Sequence, residues 1–229
     1  MFSASDFLTI ALLVALEGLL SADNAMVLAV LALGLPKPQQ RKALRYGIGG
    51  AVAFRSTATV LAVYLIRVGW VKLLGATYLG YLVYRHFTGA ESAEARRTPP
   101  AARPSLGLSA FWATVVKVEV TDLVFAIDSI LVGVAMSPKI WVVVSGGILG
   151  IVMMRVVIGQ LLTLIEKYPP LVDGAFVIIG WVALKLILEY LHAAGYVPFD
   201  VPRTISLGLI VVIFTASYVY ARYLERGHR

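Results

Sequence analysis

Glu17-Gly18-Leu19-Leu20-Ser21-Ala22-Asp23-Asn24 stands in the middle of an apolar run that extends from residue 7 to residue 35. Glu119-Val120-Thr121-Asp122-Leu123-Val124-Phe125-Ala126-Ile127-Asp128-Ser129 stands in a second such run, residues 106–136. Superposing Asp23 on Asp128 brings the two stretches into agreement: an acid, five residues, then Asp followed by Asn or Ser. The acid is Glu17 in the first copy and Asp122 in the second, which leaves Glu119 as an additional carboxylate. A carboxylate is costly inside an apolar helix, so its presence there marks a site by default.

The runs around these stretches set the class. Hydrophobic residues make up 59% of the 229 and charged residues 14%, against about 25% in a soluble domain. Mean hydropathy is +0.85. The chain therefore reads as a polytopic membrane protein, and its net charge of +7 concerns topology and not nucleic acid. There is no Cys, which removes disulfides, thiolate metal sites and thiol redox chemistry. The first run has neither a basic leader nor a small-residue cleavage site, so it is not read as a signal peptide.

Seven spans are expected, at residues 7–35, 46–66, 73–87, 106–136, 140–165, 171–191 and 204–220. A straight helix over the first run would be about 43 Å long against a hydrocarbon core of about 30 Å. It must tilt or break, and Ser21-Ala22-Asp23-Asn24 is the expected break, because Asp and Asn favour turns. Residues 37–45 read as a basic loop, and residues 88–105, rich in Ala, Pro, Glu and Arg, as an exposed, mobile linker and a plain tether.

The repeat reaches beyond the acids. Tyr46-Gly47-Ile48-Gly49-Gly50 leading to Arg55 parallels Gly146-Gly147-Ile148-Leu149-Gly150 leading to Arg155. Three spans per half force the second half to enter from the opposite face. The expected fold class is thus an all-α membrane protein with seven transmembrane helices: a 3+3 inverted repeat plus a seventh helix, with the first and fourth helices broken at the acidic motifs. The expected parts are residues 1–88 (first repeat), 89–105 (cytoplasmic linker), 106–192 (second repeat) and 193–229 (seventh helix and basic cytoplasmic tail). With the amino terminus outside, twelve of the 20 Lys and Arg fall on the cytoplasmic side and four outside, as the positive-inside rule requires.

The intramembrane acids are Glu17, Asp23, Glu119, Asp122 and Asp128, with Asn24, Ser21, Thr121 and Ser129 among them. All offer oxygen, and the three His lie at span ends. Oxygen-only ligation suits Mg, Ca or Mn, argues against copper and weakens zinc. Glu17 and Asp23 point about 120° apart on an ideal helix, so unwinding between them is expected if both serve one central ion, whose remaining ligands are freed carbonyls. The competing assignment is structural ion pairing. Arg55 and Arg155 are expected to be counter-ions, and Lys117 to snorkel or pair.

The two motifs resemble those of the TerC family of bacterial membrane proteins: Glu-x-x-x-Ser-x-Asp-Asn, here Glu17, Ser21, Asp23 and Asn24, and Glu-x-x-Asp-x-x-x-Ala-x-Asp-Ser, here Glu119, Asp122, Ala126, Asp128 and Ser129. The hydropathy profile is similar over nearly the whole chain, and closest to the short bacterial branch. The resemblance implies a seven-span protein of the LysE-type transporter group in the bacterial inner membrane. It also implies a role in metal homeostasis, with manganese efflux the activity best supported in relatives. The tellurium resistance that names the family concerns an oxyanion, a poor guest for five carboxylates. The expectation is export of Mn²⁺, with Glu17, Asp23, Asn24, Glu119, Asp122 and Asp128 holding the ion and proton antiport as the coupling. No resident cofactor and no enzymatic activity are expected; the partners are the divalent ion, the lipid bilayer and, where it assembles, further copies in a homo-oligomer. The alternative is a non-transporting membrane partner that senses metal or helps metallate and assemble envelope proteins. An aspartyl dyad of Asp23 and Asp128 would suggest an intramembrane protease, but the Gly-x-Gly-Asp pattern of such enzymes is absent.

Overall fold

The apolar runs fold as helices. The structure, a computed structural model, describes residues 3–20, 22–61, 70–89, 101–105, 107–199 and 201–227. In chain order the helices are α1 (Ala4–Leu20), α2 (Ala22–Leu33), α3 (Lys37–Val60), α4 (Trp70–Thr88), α5 (Ala110–Met136), α6 (Ile140–Lys167), α7 (Leu171–Ala193) and α8 (Arg203–Gly227). Among the described residues no strand forms. Among the described residues three stretches, Ile140–Lys167, Leu171–Ala193 and Thr204–Leu224, are long and apolar enough to cross a membrane. Large apolar side chains such as Phe7, Phe54, Val120, Val156, Val211 and Val212 are exposed on the helices. Hydrocarbon, not water, is the solvent that tolerates them.

The chain divides into two compact units. The first comprises residues 1–68 and 102–159, the second residues 69–101 and 160–229. In the first, α3 packs along α5, and α2 packs on α5 and α3. In the second, α4 packs along α7 and α7 against α8. There Lys72 reaches Glu189 at 2.9 Å, and the buried His86 ring stacks on Phe176 while meeting Asp173 at 2.8 Å.

Three expectations are corrected. The fourth span does not break at its acidic motif: α5 is continuous from Ala110 to Met136. The physical reason is spacing. Glu119, Asp122, Ala126 and Ser129 recur at three and four residues, one stripe of a regular helix, so the helix presents them together without unwinding. In the first span Ser21, where the break is expected, lies outside the described residues, between α1, which runs to Leu20, and α2, which runs from Ala22. Second, residues 37–45 are the start of α3 and not a loop. Pro36 and Pro38 are compatible with a first turn, and Gln39 to Arg45 are mostly good helix formers. Hydropathy marks where the chain enters lipid, not where a helix starts. Third, the end of the linker is tied down: the Ala102 N–H donates to the Gly34 carbonyl at 2.7 Å, and Ala102 packs on Leu35, Ala43 and Val115. Gly107, at φ 74°, turns the chain toward the Ser109 cap of α5.

Candidate metal-transport site

Two arginines organise the interior of the first unit. Arg55, on α3, is buried and donates through Nη2 to Glu17 Oε1 of α1 at 2.9 Å and to Ser129 Oγ of α5 at 3.1 Å. Its Nη1 reaches the Gly147 carbonyl of α6 at 3.4 Å. The Ser129 hydroxyl in turn donates to the Ala126 carbonyl, which fixes its lone pairs toward the guanidinium. Four helices thus meet at one cation.

The second arginine, Arg155 of α6, donates through Nη2 to Glu119 Oε1 at 2.7 Å, and the same nitrogen lies 3.5 Å from Asp122 Oδ2. The three side chains are 5% or 6% exposed. Yet Glu119 Oε2, Arg155 Nε and Arg155 Nη1 are buried with no hydrogen-bond partner. Each such atom costs about 1–3 kcal/mol.

Glycines make both sites sterically available. A methyl group on Gly150 would fall 2.5 Å from Glu17 Cγ, and one on Gly147 3.0 Å from Arg55 Cδ. Gly47 and Gly50 of α3 do the same for the Glu119 carboxylate. Glu17 and Glu119 each lie against the glycines of one helix and pair with an arginine of the other repeat-related helix, α3 or α6. By contacts, then, Glu119 is the counterpart of Glu17, where the sequence alignment gave that place to Asp122. A cavity of about 20 Å³ lies beside the first arginine, lined by Glu17, Arg55, Thr59, Ser129 and Gly147 among others. It has room for about one water.

The structure brings Glu17, Arg55 and Ser129 together, and Glu119, Asp122 and Arg155 together. It does not gather the described carboxylates around one point: among the described residues no three acidic or His side chains could hold a metal. The acids converge on arginines instead, because a guanidinium supplies in a dry interior both charge and hydrogen bonds. Ser21 and the side chains of Asp23 and Asp128 lie outside the described residues. Asn24 sits in the first turn of α2, half-buried. Thr121 is buried on α5, and Lys117 is on its exposed face, away from the acids. Sequence reasoning missed Thr59, whose hydroxyl donates to the Arg55 carbonyl at 2.8 Å; it stands four residues after Arg55, and that spacing was the available signal. It also missed the pair of Asp6 with Lys139, both oxygens at 2.8 Å from Nζ. Lys139 holds the Asp6 carboxyl below its ordinary range.

Residues 2–229 match the family described as "Integral membrane protein TerC family". Among curated proteins the chain is 44% identical to the uncharacterized membrane protein YceF of Bacillus subtilis over 90% of this chain and 79% of that one. It is 38% identical to YkoY of the same organism over 77% of this chain and 58% of that one. At 22% identity it also resembles the putative membrane-bound redox modulator Alx of Escherichia coli, over 93% of this chain and 72% of that one. No solved structure matches.

Proposed function

We propose that this chain, which belongs to the TerC family of integral membrane proteins, moves a divalent metal cation across the membrane, with Mn²⁺ leaving the cytoplasm as the transported species. The observation that carries the reading is the set of buried carboxylates on apolar helices. Glu17, Glu119 and Asp122 are each 5–7% exposed, and within lipid such groups mark ion pathways. Their donors are oxygen alone, which favours a hard cation. Asp23, Asn24 and Asp128 complete the ligand set in this reading. The frame is seven spans in a 3+3 inverted repeat plus one, in the bacterial inner membrane, amino terminus outside. Protons moving the other way supply the energy.

The direct test is Mn²⁺ flux in proteoliposomes with a pH-sensitive dye inside, for wild type, Asp23→Asn and Asp128→Asn. Flux that vanishes in both variants and moves protons oppositely supports an antiporter. Folded wild-type protein that moves no Mn²⁺, Ca²⁺ or Mg²⁺ under any gradient would sink the transport reading. It would shift the weight to a non-transporting membrane partner. The name of the Escherichia coli relative suggests a redox role instead; with no Cys in this chain, such a role would run on a group other than a thiol.

A further inference from the structure

The geometry points to Arg155 as a tethered surrogate for the transported cation: its guanidinium occupies the Glu119–Asp122 pair, and a divalent ion loads there by displacing it. The inference rests on the transport reading above and deepens it by saying where the ion first binds and what leaves.

Glu119 and Asp122 are one helical turn apart on a continuous helix, so their carboxylates share a face without any rearrangement. A single nitrogen, Arg155 Nη2, serves both: 2.7 Å to Glu119 and 3.5 Å to Asp122. One guanidinium nitrogen thereby serves two carboxyl groups, whereas the charge of a divalent cation would match two carboxylates. Arg155 also keeps two buried N–H-bearing atoms, Nε and Nη1, without acceptors, and Glu119 keeps Oε2 without a donor. A guanidinium whose permanent place was here would close the bidentate pair, Nε to Oε2, that arginine and carboxylate ordinarily form. The Gly47 and Gly50 notch holds the carboxylate against the α3 backbone instead, with Oε2 3.4 Å from where a Gly50 methyl would stand. The oxygens are thus presented as hard ligands, and the cation between them is the weakly held part. Arg55, fixed through two nitrogens to three acceptors, has no such freedom.

The test is Mn²⁺ affinity of the full-length protein in nanodiscs, read by electron paramagnetic resonance of free Mn²⁺. Removing a buried competing cation in Arg155→Gln is expected to tighten binding by roughly tenfold or more. The gain should disappear when Glu119→Gln or Asp122→Asn is added. Arg155→Lys guards against misfolding of the neutral variant; its compact ammonium cannot bridge both acids, so intermediate tightening is expected. Arg55→Lys should bring none. Wild-type binding that Arg155→Gln and Arg155→Lys leave unchanged or weaken overturns the surrogate assignment while the transport reading stands. No Mn²⁺ bound by wild type or by any folded variant overturns both.

Discussion

Arg55 and Arg155 sit in one unit, carry the same charge and each pair with a buried glutamate, yet they are bonded differently. Arg55 spreads its donors over Glu17, Ser129 and the Gly147 carbonyl. Arg155 spends one nitrogen on two acids and leaves two more buried without acceptors. The first arrangement is a lock on four helices. The second is poised, since orphaned groups of about 1–3 kcal/mol each make another occupant of the site favourable. What separates them is the neighbouring acceptor. Ser129 and a glycine carbonyl serve Arg55, whereas Arg155 faces a second acid with which it makes only a long contact.

Removing the two cations should therefore cost unequal amounts. Arg55→Met strands Glu17 in the interior and is expected to destabilise by about 3–5 kcal/mol. With the acids neutralised too, so that no charge is stranded, Arg155→Met with Glu119→Gln and Asp122→Asn removes one good hydrogen bond and two orphaned nitrogen donors, and its loss should be smaller than that of Arg55→Met with Glu17→Gln by at least about 1 kcal/mol. Thermal unfolding in detergent, followed by Trp fluorescence, measures both; equal losses would erase the distinction.

The glycines refine it. Gly150→Ala strikes Glu17 near its root, at Cβ and Cγ, whereas Gly47→Ala strikes the far end of Glu119, at the carboxylate. The tip of a long side chain can shift where its root cannot. Gly150→Ala is therefore expected to cost about 1–3 kcal/mol and Gly47→Ala less, while Gly49→Ala, whose methyl would meet nothing within 4 Å, serves as the control. The same unfolding assay decides, and a greater loss at Gly47 would mean that Glu119 is as rigidly held as Glu17.

Much of this was legible from spacing. The acids in apolar runs, the parallel between Arg55 and Arg155 with their glycines, and the counter-ion expectation for both can be read without coordinates, because charge in lipid admits few solutions. The continuity of α5 was legible too, in the three- and four-residue spacing of Glu119, Asp122, Ala126 and Ser129. The analogy with the first motif masked it. The start of α3 was not legible, since Lys37 to Arg45 are polar enough to read as a loop although most of them are good helix formers. Nor could sequence tell that Glu119 and not Asp122 matches Glu17. That equivalence resides in which glycine face each carboxylate meets, a matter of helix crossing and not of register along one chain.

Ser129→Ala tests the Arg55 lock at its weakest bond. The hydroxyl accepts from a charged donor at 3.1 Å, and its loss is expected to cost about 1–2 kcal/mol. Thr121→Val, a change at a buried hydroxyl on the same helix, should cost less, because no bond to either arginine is lost. Unfolding curves for the two variants give the comparison, and a larger loss at Thr121 would mean the Ser129 bond contributes little.

The smallest effect belongs to a third pair, at the edge of the same unit. Asp6 lies before the first apolar run and accepts from Lys139 at both oxygens, at 2.8 Å, and from the Ser3 N–H at 3.0 Å. Its folded pKa is lowered from 3.8, chiefly by the hydrogen bond from Lys139. A carboxyl lowered on folding adds stability that is complete above its unfolded value and is lost as pH falls through the lowered one. Asp6→Asn should therefore lower the unfolding temperature slightly at pH 6 to 8, a window set about two units or more above the ordinary Asp value. The gap between variant and wild type should close as pH falls below that value, and salt should narrow it at neutral pH because Lys139 is 43% exposed. A gap that persisted below the lowered pKa, or that ignored salt, would mean that Asp6 acts through packing on α1. The edge pair would then no longer calibrate what an ordinary, solvent-reached arrangement of the same charges contributes beside the two buried ones.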